Sequence, residues 1–159
     1  MKKILSMSEL KDASTGKSLS AASYLYYAST EACVGSDFVR ALADVLDPTF
    51  TILDGMSLID SINASEKYKK YTSGGMSKED AQYWANLLET TELFGSVDEG
   101  IGLRLADVIA QSWRLSLQIK RPGIREHVRI VRDSVEGEVF VVLESTMSHL
   151  SSRPQSQKE

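Results

Sequence analysis

The stretch IGLRLADVIAQSWRLSLQIKRPGIREHVRIVRDSVEGEVFVVLES, residues 101–145, decides the fold. Ile101, Leu105, Ile109, Trp113 and Leu117 recur every fourth residue and Val108 widens the stripe, so its first half predicts a long amphipathic helix. The tripeptide Arg121-Pro122-Gly123 ends that helix, because proline fixes φ and disfavours helix at the residue before it. Beyond the break, Val128 and Ile130 alternate with polar neighbours, and Val139 to Leu143 is an unbroken β-branched and aromatic run. Two strands of a hairpin follow, the second flanked by neighbours on both sides. The segment Trp113 to Lys120 also alternates with period two, as a strand would. The helical ladder is the longer match, since it begins at Ile101 with no turn signal between.

Working outward towards the N-terminus, Ser77 reads as the cap of a helix spanning KEDAQYWANLLETTELF, with Glu79 and Asp80 in its first turn. Ala81, Trp84, Leu87, Leu88 and Phe94 would form its buried stripe, and Gly95 its stop. Residues 63–75 are polar, with Lys67, Lys69 and Lys70 beside Tyr68 and Tyr71, and carry no clear element. Residues 49–60, TFTILDGMSLID, admit two readings: a hairpin turning at Asp54-Gly55, or a strand followed by a helix starting at Ser57. A helix is expected from Ser18 to Val34, with Ala21, Ala22, Leu25, Ala28 and Ala32 on a small-residue face. A second follows Gly35 and Ser36, carries Phe38, Val39, Leu42, Val45 and Leu46, and ends before Pro48. The class these elements imply is α+β: about four helices packed on a small antiparallel sheet that includes the C-terminal β-hairpin. Residues 1–145 are expected to form a single globular domain, and residues 146–159, rich in Ser, Gln and Arg, a disordered tail.

Composition narrows the function classes. A length of 159 residues suits one domain with a sufficient core. The net charge of −4 argues against non-specific nucleic-acid binding. A single cysteine, Cys33, excludes an intrachain disulfide framework and suits a reducing compartment. Met1-Lys2-Lys3 is followed by only Ile4-Leu5 before polar residues, so no secretory signal forms, and no apolar run reaches membrane-spanning length. Cytoplasmic residence without membrane association is the expectation.

No constellation for chemistry emerges. Thr15-Gly16-Lys17-Ser18 contains the end of a phosphate-binding loop, but Lys11 stands where its first glycine belongs. His127 falls on the outward phase of a strand and His149 in the tail, with no nucleophile elbow between them. Two histidines and one cysteine lack metal-ligand spacing. No catalytic residue, cofactor or metal is therefore assigned. Trp84 and Trp113 both read as core.

The charge layout is the one feature beyond a bland domain. Residues 79–107 hold seven acids (Glu79, Asp80, Glu89, Glu92, Asp98, Glu99, Asp107) against Arg104 alone. Residues 114–132 hold six bases (Arg114, Lys120, Arg121, Arg125, Arg129, Arg132) against Glu126 alone. Neutralisation across neighbouring elements is the bland reading; opposed patches that steer a protein partner are the functional one. The leading expectation is protein–protein binding by an inhibitor, immunity, adaptor or regulatory protein. Arg125, Arg129 and Arg132 on the first hairpin strand are the candidate partner-binding residues. A small enzyme or ligand-binding domain with an unrecognised pocket is the alternative, and a nucleic-acid binder using the basic hairpin a third.

Overall fold

The computed structural model describes residues 21–31, 35–95 and 97–145. Cys33, His149, the Thr15 to Ser18 motif and the tail 146–159 lie outside the described residues. The chain divides into two compact units, Met1–Leu42 and Ala43–Glu159. The first contains α1 (Ala21–Glu31) and most of α2 (Ser36–Leu46), which continues into the second. In the first unit Tyr24 and Tyr27 stand with ring centres 6.5 Å apart, while Leu25, Tyr26, Phe38 and Val39 are exposed.

The second unit is α+β. After α2 come β1 (Phe50–Leu53), β2 (Met56–Ile59), a short 3-10 turn (Asp60–Ile62), α3 (Ala64–Ser73), α4 (Lys78–Ala85) and β3 (Leu88–Glu89). Then follow α5 (Glu99–Lys120), β4 (Glu126–Asp133) and β5 (Glu138–Ser145). The described residues thus hold five α-helices and two antiparallel sheets, β1-β2 and β3-β5-β4, with the C-terminal hairpin as expected. β1 and β2 turn at Asp54-Gly55, both at positive φ (53° and 85°), as a two-residue hairpin turn requires. The hairpin reading of residues 49–60 is therefore the one realised.

α5 is helical through Lys120, which settles the rival strand reading. Asp98 caps it by accepting from the Ile101 amide at 3.0 Å. Its core face is Gly102, Ala106, Ile109, Ala110, Trp113, Ser116 and Leu117, packed against Val128, Val139, Val141 and Leu143 of the sheet. Ile101 and Val108 are exposed, so the buried stripe is rotated from the spacing that the large residues alone suggested. Small residues carry much of it: a Cβ on Gly102 would stand 2.6 Å from Thr91 Cγ2, so only glycine lets α5 approach the segment after β3. Trp113 is fully buried and its indole donates to the Val45 carbonyl at 2.7 Å.

Two expectations are corrected. The helix begun at Ser77 ends at Ala85 rather than running to Phe94, and Leu88-Glu89 pairs with Val141 and Phe140 of β5. The β-branched Thr90 and Thr91 favour extended chain, and their hydroxyls serve the sheet: Thr90 Oγ1 donates to the Val139 carbonyl and Thr91 Oγ1 accepts from the Val139 amide. Trp84, within α4, and Phe94, beyond it, are exposed, not buried. Residues 64–73 form a helix that their polarity concealed. Only Ala64 and Tyr68, four residues apart, are buried, joining Leu58, Ala81 and Ala85 in a second small core.

Polar side chains join the two sheets. Asn86 Oδ1 accepts from the Ile59 amide at 3.0 Å, and its Nδ2 donates to the carbonyls of Ser57 (2.9 Å) and Leu143 (3.1 Å). Glu126 Oε1 accepts from the Ser57 amide and from Gln82 Nε2, both at 2.8 Å. At the opposite edge, the Arg114 guanidinium donates through Nε and Nη2 to the Val128 carbonyl at 3.2 and 3.0 Å. Because Leu143 turns its carbonyl towards Asn86, its partner Val128 turns its own outward, and Arg114 covers that outward edge of β4.

Replacing Trp113 by alanine is expected to lower stability by about 3–5 kcal/mol, the usual loss for a large core aromatic. Urea melts measure it, and a loss below about 1 kcal/mol would contradict this core.

Candidate functional site

The hairpin has two faces. Val128, Ile130, Val141 and Leu143 face α5, so the opposite phase presents His127, Arg129, Val131 and Asp133 from β4. Their cross-strand partners are Glu144, Val142, Phe140 and Glu138 from β5, and Glu89 of β3 stands beside Phe140. This outer face carries the charges.

At one end a nearly buried carboxylate organises Arg129 and His127. Glu144 Oε1 accepts from Arg129 Nε at 2.7 Å and lies 3.0 Å from His127 Nε2, while Arg129 Nη2 reaches Oε2 at 3.3 Å. Glu144 is 5% exposed, whereas the Arg129 and His127 side chains are each 46% exposed. Tyr83 of α4 lies beside this group. Burial pushes its phenol above the ordinary value, the Arg129 charge opposes that, and the Glu144 charge adds to it. The Trp84 ring meets Tyr83 edge-on at 5.3 Å and 86°, with 43% of the residue exposed.

The other end is acidic. Glu138 stands opposite Asp133 and diagonal to Glu89, with Glu136 in the turn. Desolvation, then the charges of Glu89, Glu136 and Asp133, raise the Glu138 carboxyl above the usual range. Between the two ends, Val131 and Phe140 are half-buried.

The structure places the three candidate arginines unequally. Arg129 belongs to the outer-face cluster and is fixed by Glu144. Arg125 lies one residue before β4, exposed, at the same end. Arg132 shares the phase of Val128 and Ile130, opposite Val139, and is exposed near the turn. Three bases of the basic segment have partners outside the acidic one: Arg129 pairs with Glu144, Arg114 with the Val128 carbonyl and Lys120 with Asp47. Glu144, Tyr83 and Trp84 were not singled out as site residues. A carboxylate ending an apolar strand was the visible signal for the first.

A cleft of about 260 Å³ is lined by Asp44, Asp47, Thr49, Asp60 and Ser61. Asp47 and Asp60 of its lining have internal partners. Asp47 Oδ1 accepts from Lys120 Nζ at 2.7 Å and Ser116 Oγ at 2.6 Å, and Thr49 Oγ1 donates to Asp60 Oδ2 at 2.9 Å. The Lys120 and Ser116 hydrogen bonds hold the Asp47 carboxyl below the usual carboxylate range. Among the described residues no group of His, Cys, Asp or Glu is placed to hold a metal ion, and no helix is long and apolar enough to cross a membrane.

Compared with known protein families, curated proteins and solved structures, the chain matches none.

Arg129→Ala leaves Glu144 with His127 and a costly buried charge. The expected loss is about 1–2 kcal/mol in urea melts, below the ~3–5 kcal/mol of a fully buried pair because Arg129 is half in solvent. Glu144→Gln with Arg129→Ala should recover part of it. The depressed Asp47 carboxyl contributes stability that is present at neutral pH and lost as pH falls through its folded-state value. Lys120→Met removes the first cause of the depression, so this variant should lose less stability than the parent between about pH 7 and about pH 3.

Proposed function

We propose that the protein acts by binding another protein through the α4–hairpin outer face, in the cytoplasm, as an inhibitor, immunity, adaptor or regulatory factor. The observation that carries this reading is the grouping of Trp84, Tyr83 and Arg129. A half-exposed indole meets a tyrosine edge-on, and that tyrosine lies beside an arginine already held by a buried carboxylate. Tryptophan, tyrosine and arginine are the side chains that dominate binding energy at protein interfaces, and rigid ones lose little entropy on docking. Arg125 adds positive charge at that end of the hairpin, so the partner surface this end fits is acidic.

The test keeps Arg129, since reversing it would set a second carboxylate against Glu144. Trp84→Ala, and separately Arg125→Glu, are compared with the parent in thermal melts and in affinity capture at low salt. Melts within error of the parent, with partner retention reduced about tenfold or more, are expected. Undiminished capture by both variants would remove this face from the binding surface.

A further inference from the structure

The fold uses only one edge of the Arg129 guanidinium. An arginine head offers two forks of donors, a side-on pair from Nε and Nη2 and an end-on pair from Nη1 and Nη2. Glu144 takes the side-on fork, with Oε1 2.7 Å from Nε and Oε2 3.3 Å from Nη2. His127 Nε2 closes on the same Oε1 at 3.0 Å, so the carboxylate is held in turn. The end-on fork meets no acceptor among the described residues, and the side chain is 46% exposed. A guanidinium fixed along one edge and open along the other is organised in advance for a planar oxyanion, because little motion remains to be lost on binding.

The surroundings select among oxyanions. Glu144 backs the guanidinium, and its charge repels a doubly charged phosphate more than a singly charged carboxylate. The Tyr83 phenol, close enough to feel the Arg129 charge, is pushed up by burial and so stays a donor at neutral pH. Apolar ground is near. Val131 follows Arg129 in the outward phase and pairs with Phe140, both half-buried, while Trp84 stands against Tyr83 and is exposed. We propose that the end-on fork of Arg129 receives the carboxylate of an aspartate or glutamate side chain from the partner protein, with apolar residues beside that acid covering Val131, Phe140 and Trp84. This inference rests on reading the face as a protein-binding surface and names the chemical group it recognises. Glu144 is then a positioning residue, acting through Arg129. Lysine in place of Arg129 keeps a charge beside Glu144 but has no second fork to offer.

The experiment is an NMR titration of the purified, isotope-labelled full chain with the blocked peptide acetyl-leucyl-glutamyl-leucinamide. It follows the Arg129 Nε–Hε resonance and the backbone amides of Tyr83 and Val131. The glutaminyl peptide, of the same shape but uncharged, and inorganic phosphate at matched ionic strength are the comparison arms. The glutamyl peptide is expected to shift these resonances saturably, and the glutaminyl peptide to bind about tenfold or more weakly. Phosphate should bind more weakly than the glutamyl peptide. Arg129→Lys, its fold checked by circular dichroism, should weaken glutamyl-peptide binding about tenfold or more, read from the two amides. The proposal is overturned by equal binding of the two peptides, by shifts that do not saturate, by tighter binding of phosphate, or by parent-like binding in Arg129→Lys. If that variant does not fold, the two peptides compared on the parent decide alone. Failure here, with capture still lost in Trp84→Ala, removes the carboxylate contact and leaves the binding face standing. Undiminished capture with a positive titration does the reverse.

Discussion

The side-chain amide of Asn86 joins the two sheets of the second unit. It accepts from β2 through the Ile59 amide and donates to the Ser57 and Leu143 carbonyls, so one residue does for three backbone groups what a strand would otherwise do. All three groups lie in the interior, where an unpaired amide or carbonyl costs about 1–3 kcal/mol. The amide also fixes chain direction. By drawing Asn86 into the gap beyond β3, it ends α4 and starts the extended segment through Leu88 and Thr90. Glu126 and Gln82 repeat the device one strand away, and Thr90 ties the Gly102 carbonyl of α5 to the same sheet.

The large elements were legible because hydrophobic periodicity reports burial directly. α5, the Pro-Gly break and the hairpin could be read from residues 101–145, and the interior position of β5 from its continuous apolar run. What could not be read depends on contacts distant in sequence. The end of α4 is set by Asn86 bonding to residues 57, 59 and 143, while Trp84, Leu87 and Leu88 keep a helical spacing that invites continuation. α3 was hidden because Ala64 and Tyr68 bury too narrow a stripe to stand out from its lysines. On α5 the large residues misled: glycine, alanine and serine, not Ile101 and Val108, occupy much of the packed side.

The candidate site divides the same way. Exposure of Arg125 and Arg129 followed from strand alternation alone. That Arg129 is held by a carboxylate required the β4–β5 register, which sets His127 opposite Glu144. A one-residue slip would have turned Glu144 into the core, so the hairpin turn, the Leu143 packing and the Arg129 pairing enforce one register together. The crowding of carboxylates at the turn end of the face is likewise a property of register. In the linear sequence Glu89 is far from Glu138, and only the β3–β5 pairing makes them neighbours.

Arg114 has a consequence for how the protein behaves when crowded. β4 is an eight-residue edge strand with Val128, Ile130 and Val131 near its middle, a composition that templates strand addition and fibril growth. The guanidinium fork on the outward Val128 carbonyl occupies the acceptor through which an incoming strand would first register. An invading chain must displace two charge-assisted hydrogen bonds and then bury a cation against its own backbone. A helix residue thus acts as a gatekeeper for a strand it does not belong to, keeping the open side of the sheet from seeding aggregation.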